Sequence, residues 1–288
     1  MNFIIFDLEW NNAYNYKTKK GLNEIIEIGA VKLNSKLEIV DSFKQLIKPQ
    51  ISKKLQSRFK NLTNITAEEI KEKGISFDKA FADFSAWSRG DGNVFLSWSK
   101  SDLYTLISNF KKFKGTSNID FIGKYADAQQ YCMSFIDTQG NNQISLSNCA
   151  EIFNISAEDI NYHRALEDCI ITAYCFKKVY SKDTFSKFVY DCSPEYFEKL
   201  IYKPFFISKK IYGDFNIDEI ELYCPKCNEK VKTIKEYEFV NNTFKNVGIC
   251  TGCGKKFWVN VRAKQNFDNV SISKRLIEIN RKKASHIS

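Results

Sequence analysis

The chain has 288 residues, 43% of them hydrophobic and 15% aromatic, with a formal charge of +9. That apolar content excludes a disordered polyelectrolyte, and the length suits one sizeable core plus a small second module. No basic stretch followed by a long apolar segment opens the chain, and no window approaches the roughly 20 apolar residues that span a bilayer, so a soluble, cytoplasmic protein with no membrane partner is expected.

In chain order, Asn2–Trp10, Glu24–Leu33 and Glu38–Lys48 carry β-branched or aromatic residues between turn formers and predict a three-stranded antiparallel meander. The polar, basic stretch Asn11–Lys20, with Tyr14 and Tyr16, reads as a loop. Lys53–Leu62 looks helical, and Thr66 to Glu69 has the Thr-x-x-Glu form of a capping box, opening a short helix that Gly74 ends. Phe77, Ala80, Phe81 and Phe84 then mark the inner face of another helix. Asn93–Trp98 is a short apolar strand leading into a helix over 102–113, so Asp102 sits where strand hands over to helix. Beyond the ambiguous segment 121–135, helices are predicted over 145–153 and 164–180, with His163 at the start of the longer one. This order points to an α/β layered domain over 1–182. A helical connector over 183–218, a metal-binding module over 219–262 and a basic tail over 263–288 follow, with Ser273–Lys283 read as a helix.

Alternate residues of a strand share a face, so Asp7 and Glu9 can bind one hard cation while Phe6 and Leu8 pack behind them. Alone this is weak, since Asp-x-Glu is common and an Asp before a helix is ordinarily an N-cap. Five segments in order carry more: Phe6-Asp7-Leu8-Glu9, Glu24 to Val31, Leu62 to Thr66, Ser97 to Leu103 and His163 to Asp168. In this order they resemble the DnaQ-like DEDDh exonucleases, and are especially similar to the Eri-type 3′-to-5′ exoribonuclease branch.

The resemblance implies a ribonuclease H-like mixed sheet flanked by helices, in which Asp7, Glu9, Asp102 and Asp168 hold two Mg²⁺ or Mn²⁺ ions. It also implies that His163 is the general base toward water. The physics agrees, because four crowded carboxylates repel and raise one another's pKa unless cations neutralise them. The dipole at a helix N-terminus disfavours imidazolium, which would keep His163 able to accept a proton. Leu8 and Trp10 are candidates to line the path of the terminal nucleotide, with packing under the neighbouring loop as the alternative for Trp10.

Residues 201–288 hold 17 Lys and Arg against 9 Asp and Glu, a cationic end suited to a polyanion. Cys224-Pro225-Lys226-Cys227 and Cys250-Thr251-Gly252-Cys253 form two knuckles whose four thiolates complete tetrahedral Zn²⁺ coordination, so the module resembles a zinc ribbon. Lys226, Lys230, Lys232, Lys235, Lys245, Lys255, Lys256 and Arg262, among Tyr237, Phe244, Phe257 and Trp258, suit nucleic acid, with protein docking as the alternative. The other five cysteines lie among apolar neighbours and read as buried thiols. The function expected is hydrolysis of single-stranded nucleic acid from a 3′ end, RNA favoured over DNA, releasing nucleoside 5′-monophosphates. Its rivals are a DNA-directed proofreading exonuclease and a non-catalytic binding or scaffold protein that retains the fold.

Overall fold

The apolar N-terminal runs form β1 (Phe3–Asn15), β2 (Lys20–Leu33) and β3 (Ile39–Leu46), paired as the antiparallel meander the sequence predicts. The computed structural model describes residues 2–15, 19–52, 54–56, 63–137, 143–155 and 164–279. It divides into two units, Met1–Ile201 and Tyr202–Ser288. The first hairpin is longer than expected. Positions 11–15 and Lys20, read as loop, and 21–23, left unassigned, continue the β1–β2 ladder, and 16–18 lie outside the described residues. Period-two burial explains the extension: Asn11 and Ala13 turn inward while Asn12 and Tyr14 face solvent. The buried Asn11 amide donates to the Lys54 carbonyl at 3.1 Å and accepts from the Gln56 amide at 3.1 Å.

Helix α1 (Ala67–Lys73) starts where Thr66 accepts the Glu69 amide and stops at Gly74, as its capping pattern predicts. The helix expected over 53–62 falls almost wholly outside the described residues. Next come α2 (Phe77–Trp87), β4 (Val94–Ser97), α3 (Ser101–Phe113), β5 (Lys124–Asp127), α4 (Ala128–Met133), α5 (Leu146–Ile152) and α6 (Ala165–Val179). The expected connector 183–218 does not stand apart. Its first part, α7 (Lys182–Phe185), β6 (Val189–Asp191) and α8 (Pro194–Ile201), belongs to the first unit, because β6 completes the sheet edge on β5 and Phe197 of α8 is buried in the core. The sheet order is β3-β2-β1-β4-β5-β6, with β4 parallel to β1, β5 parallel to β4, and β6 antiparallel to β5.

Alternation along β1 assigns each face of this sheet. Ile4, Phe6 and Leu8 join Phe84, Leu103, Leu106 and Phe110 from α2 and α3. Phe3 and Ile5 join Ile171, Cys175 and Phe176 from α6. Each fully buried Phe or Ile stabilises the fold by roughly 1.5–3 kcal/mol. Both faces are therefore covered, giving an α/β layered fold.

The second unit is built on β10 (Val231–Thr233), β11 (Glu238–Val240), β12 (Thr243–Cys250), β13 (Lys256–Gln265) and β14 (Val270–Glu278). Before them lie the short strands β7 (Phe205–Phe206), β8 (Ile211–Tyr212) and β9 (Phe215–Asn216). The basic tail expected to be helical is instead strand β14 as far as Glu278, paired along the whole of β13, whose free edge amides and carbonyls require a partner. Residues 280–288 lie outside the described residues. Phe257, Val259, Val261 and Ala263 on one face of β13 form this unit's own core with Phe244, Ile217 and Leu222.

Candidate active site

Asp7 and Glu9 continue the face of β1 on which Phe3 and Ile5 pack against α6. Asp168 lies three, four and seven residues before Ile171, Thr172 and Cys175, on the inward stripe of that helix. The apolar seam between strand and helix thus ends in carboxylates, and one oxygen from each of Asp7, Glu9 and Asp168 lies within 4.8 Å of the others. Asp102, at the start of α3, is buried and accepts the Leu8 amide at 3.2 Å. That bond ties the strand–helix junction to the backbone between Asp7 and Glu9.

Two residues whose role the sequence did not disclose bring α6 to the strand. Gly29 stands opposite Asp7 in the ladder, and a Cβ on it would lie 2.2 Å from the Leu166 nitrogen, so only glycine admits the helix end there. Glu27 stands opposite Glu9 and is wholly buried. It accepts Arg164 Nη2 at 2.7 Å, Arg164 Nε at 3.2 Å and the Ala165 amide at 3.3 Å, capping the N-terminus of α6 and fixing where Asp168 falls. The signal for both was a charged residue and a glycine inside the apolar run Ile25–Val31.

A bulge in β2 pairs Glu9 with Glu27 but Trp10 with Ile25. Buried Asn109 of α3 accepts the Ile25 amide at 3.2 Å and donates to the Asn23 carbonyl at 2.7 Å, compensating the broken ladder. Beside it, buried Glu24 accepts the amides of Gln50, Ile51 and Ser52. With Asn11 it fastens segment 50–56 to the long hairpin.

The electrostatics are those of a cation site. Burial, reinforced by Asp102, Glu9 and Asp168, pushes the Asp7 carboxyl well above the ordinary range. Burial and the Asp168 charge push Glu9 up to about 9. Burial pushes Asp102 up to about 7 against the opposing bond from Leu8. Hard divalent ions take such oxygen donors and remove the repulsion, so the residues fit the cations the resemblance implies.

Leu8 and Trp10 turn out differently. Leu8 is 2% exposed and packs in the core, so its backbone rather than its side chain serves the site. Trp10 is half-buried against the same core. His163 lies outside the described residues. Among the described residues no helix is long and apolar enough to cross a membrane.

In the second unit Cys224, Cys227, Cys250 and Cys253 bring their sulfurs within 4.8 Å of one another. The Cys253 amide donates to the Cys250 sulfur at 3.4 Å and holds that thiol down, to about 6. Four thiols in this closed arrangement fit a tetrahedral structural metal.

Comparison with known proteins agrees with the geometry. The chain is 27% identical over 180 residues to a PolC-type DNA polymerase III of Caldanaerobacter subterraneus subsp. tengcongensis, covering 62% of this chain but only 12% of the polymerase. It is 24% identical over 184 residues to a probable 3′-5′ exonuclease, KapD, of Bacillus subtilis, covering 63% of this chain and 85% of that protein. In fold it is similar to the nuclease domain of 3′hExo, a DEDDh family member bound to rAMP, with a TM-score of 0.53, 22% identity, and coverage of 62% of this chain and 90% of that one. It is also similar in fold to cell-death related nuclease 4, with a TM-score of 0.52, 17% identity, and coverage of 80% and 87%. The RNase_T exonuclease model matches residues 4–176, which contain the whole acidic set, and the chain therefore belongs to that exonuclease family.

Proposed function

We propose that the protein is a 3′-to-5′ exonuclease that hydrolyses single-stranded nucleic acid, RNA in preference to DNA, and releases nucleoside 5′-monophosphates. The reading is carried by Asp7, Glu9 and Asp168 converging within 4.8 Å at the end of a buried seam, with Asp102 fixed beside them. A binding module gains nothing from buried anions that repel phosphate. Two divalent cations, Mg²⁺ or Mn²⁺, held by Asp7, Glu9, Asp102 and Asp168 would supply Lewis-acid polarisation and charge neutralisation for in-line displacement.

The protein's own part is positional. The β1 alternation and the Glu27–Arg164 pair hold carboxylates from two elements at one point. The exposed part of half-buried Trp10 is the candidate stacking surface for the terminal base. His163, immediately before Arg164 in the sequence, is the assigned acceptor of the proton leaving the attacking water. One zinc ion held by the four knuckle cysteines gives the second unit a structural centre. Nine cysteines with no disulfide among them suit a reducing cytoplasm.

The preference for RNA rests on the Eri-type resemblance. The match to a segment of a PolC-type polymerase supports a second reading, a proofreading-type activity on DNA. The test is digestion of single-stranded RNA and DNA with free or blocked 3′ ends, with Mg²⁺, Mn²⁺ or neither. The proposal expects monophosphates from unblocked RNA first and only with a divalent cation. Faster cutting of DNA would favour the second reading, and cleavage indifferent to the 3′ block would reject exonuclease action.

A further inference from the structure

The second unit presents two unlike faces of one sheet. On the inner face Phe244, Phe257, Val259 and Val261 are buried, so two of the aromatics that the sequence offered as stacking surfaces are spent on the core, and Tyr237 is 9% exposed. The outer face is assembled by register. Val247, Trp258 and Ile277 form one row across β12, β13 and β14; Lys245, Asn260 and Arg275 form the next; Arg262 and Ser273 follow. Trp258 is 54% exposed, an unusual investment for a ring that no core requires. Two shallow depressions of about 440 and 530 Å³ adjoin along this face and share Lys245, Asn260 and Ile277.

Ion pairing sorts the lysines of this unit. Lys226 and Lys255 both bind Glu278, at 2.7 and 2.8 Å, and Lys230 binds Glu221 at 2.8 Å. Among the described residues Lys245 and Arg275 have no carboxylate within ion-pair distance, although Glu238 stands opposite Lys245 in the ladder. Arg262 donates Nε to Thr243 Oγ1 at 2.9 Å and has no ion pair among the described residues. Glu236, at the rim, is bound by Lys210 at 2.8 Å. Among the cations that have no ion pair among the described residues, Lys245, Arg262 and Arg275 lie around one exposed indole, beside an Asn and a Ser that can hydrogen-bond.

We propose that this outer face binds a single strand of nucleic acid, with a base stacked on Trp258 and the backbone phosphates held by Lys245, Arg262 and Arg275. The indole accepts any base without reading sequence, and the cations match a polyanion. Lys245 and Arg275 sit two strand spacings apart, about 10 Å, flanking Asn260. The idea deepens the nuclease reading and borrows from it only the class of polymer.

The test uses the full chain carrying Asp7→Asn, so that substrate survives. Binding of labelled oligouridylate and oligothymidylate of about 20 nucleotides is followed by anisotropy across a salt series. Trp258→Ala is expected to weaken both by about tenfold with the salt slope kept, and Trp258→Phe to restore most of the loss. Lys245→Ala with Arg275→Ala is expected to lower the salt slope by about 1.4, roughly 0.7 for each phosphate contact to a single strand. Melting temperature and bound metal confirm that the variants fold. Unchanged affinity and slope in both sets overturn the proposal. In chains that keep Asp7, digestion of the same oligonucleotides tests the nuclease reading separately from binding. Should no chain cut any substrate while the binding pattern holds, the nuclease reading falls and the binding face stands.

Discussion

At the scale of the residue, each carboxylate is placed by a different local rule. Asp7 and Glu9 follow from strand alternation, which the sequence displayed openly. Asp168 follows from the approach of a helix end, which depends on Gly29 and Glu27, and that dependence was invisible because nothing local says what a strand glycine will touch. Gly29→Ala is expected to destabilise the first unit by roughly 3 kcal/mol or more, read from denaturant unfolding, since the obstacle at 2.2 Å is backbone rather than a flexible side chain. Glu27→Ala leaves Arg164 with Glu69 alone, at 3.5 Å, and uncaps α6, with an expected loss of about 3 kcal/mol read from the same unfolding.

The raised carboxyls also carry a sign. Glu9, at about 9, and Asp102, at about 7, bind protons more tightly folded than unfolded, so without divalent cations stability falls as pH rises from about 4 through that range. Asp7→Asn removes one of the mutually repelling charges. The cation-free variant is therefore expected to melt above the parent at pH 8 by more than at pH 5, and equal differences at both would show that the charges do not interact.

At the scale of the element, the meander, the capped helix α1 and helices α3 and α6 were legible because their apolar periods and caps agree. Misread stretches were those whose partners lie far away in sequence. Asn11–Asn15 looked like loop because its polar inward residue is satisfied by segment 50–56, and β14 looked helical because its basic, partly apolar pattern says nothing of the β13 edge awaiting it. Asn11→Ala should loosen residues 54–56, detected as faster amide exchange at Gln56 with little change in the sheet strands; unchanged exchange there would show that Glu24 and the Gln56 side-chain bond to the Asn12 carbonyl suffice to hold the segment.

At the scale of the whole molecule, the two units have separate cores, and the second is small enough that a metal held by its four cysteines would stabilise it. Cys227→Ser is expected to abolish one of two thermal transitions and release one metal ion per chain, while the transition of the first unit persists. A single transition lost as a whole would contradict the division. The family was readable because five ordered motifs span the first unit. The connector was not, since β6 and Phe197 declare themselves only through the sheet edge and core they complete.

The proposed chemistry depends on Asp7, Glu9, Asp102 and Asp168 acting as one cation site. Titration of the full chain with Mn²⁺, followed by electron paramagnetic resonance, tests this most directly. Two bound ions are expected for the parent and a loss of about tenfold or more in affinity for Asp7→Asn and Asp168→Asn, with the zinc content of each protein unaltered. Equal Mn²⁺ binding by the parent and both variants would contradict it.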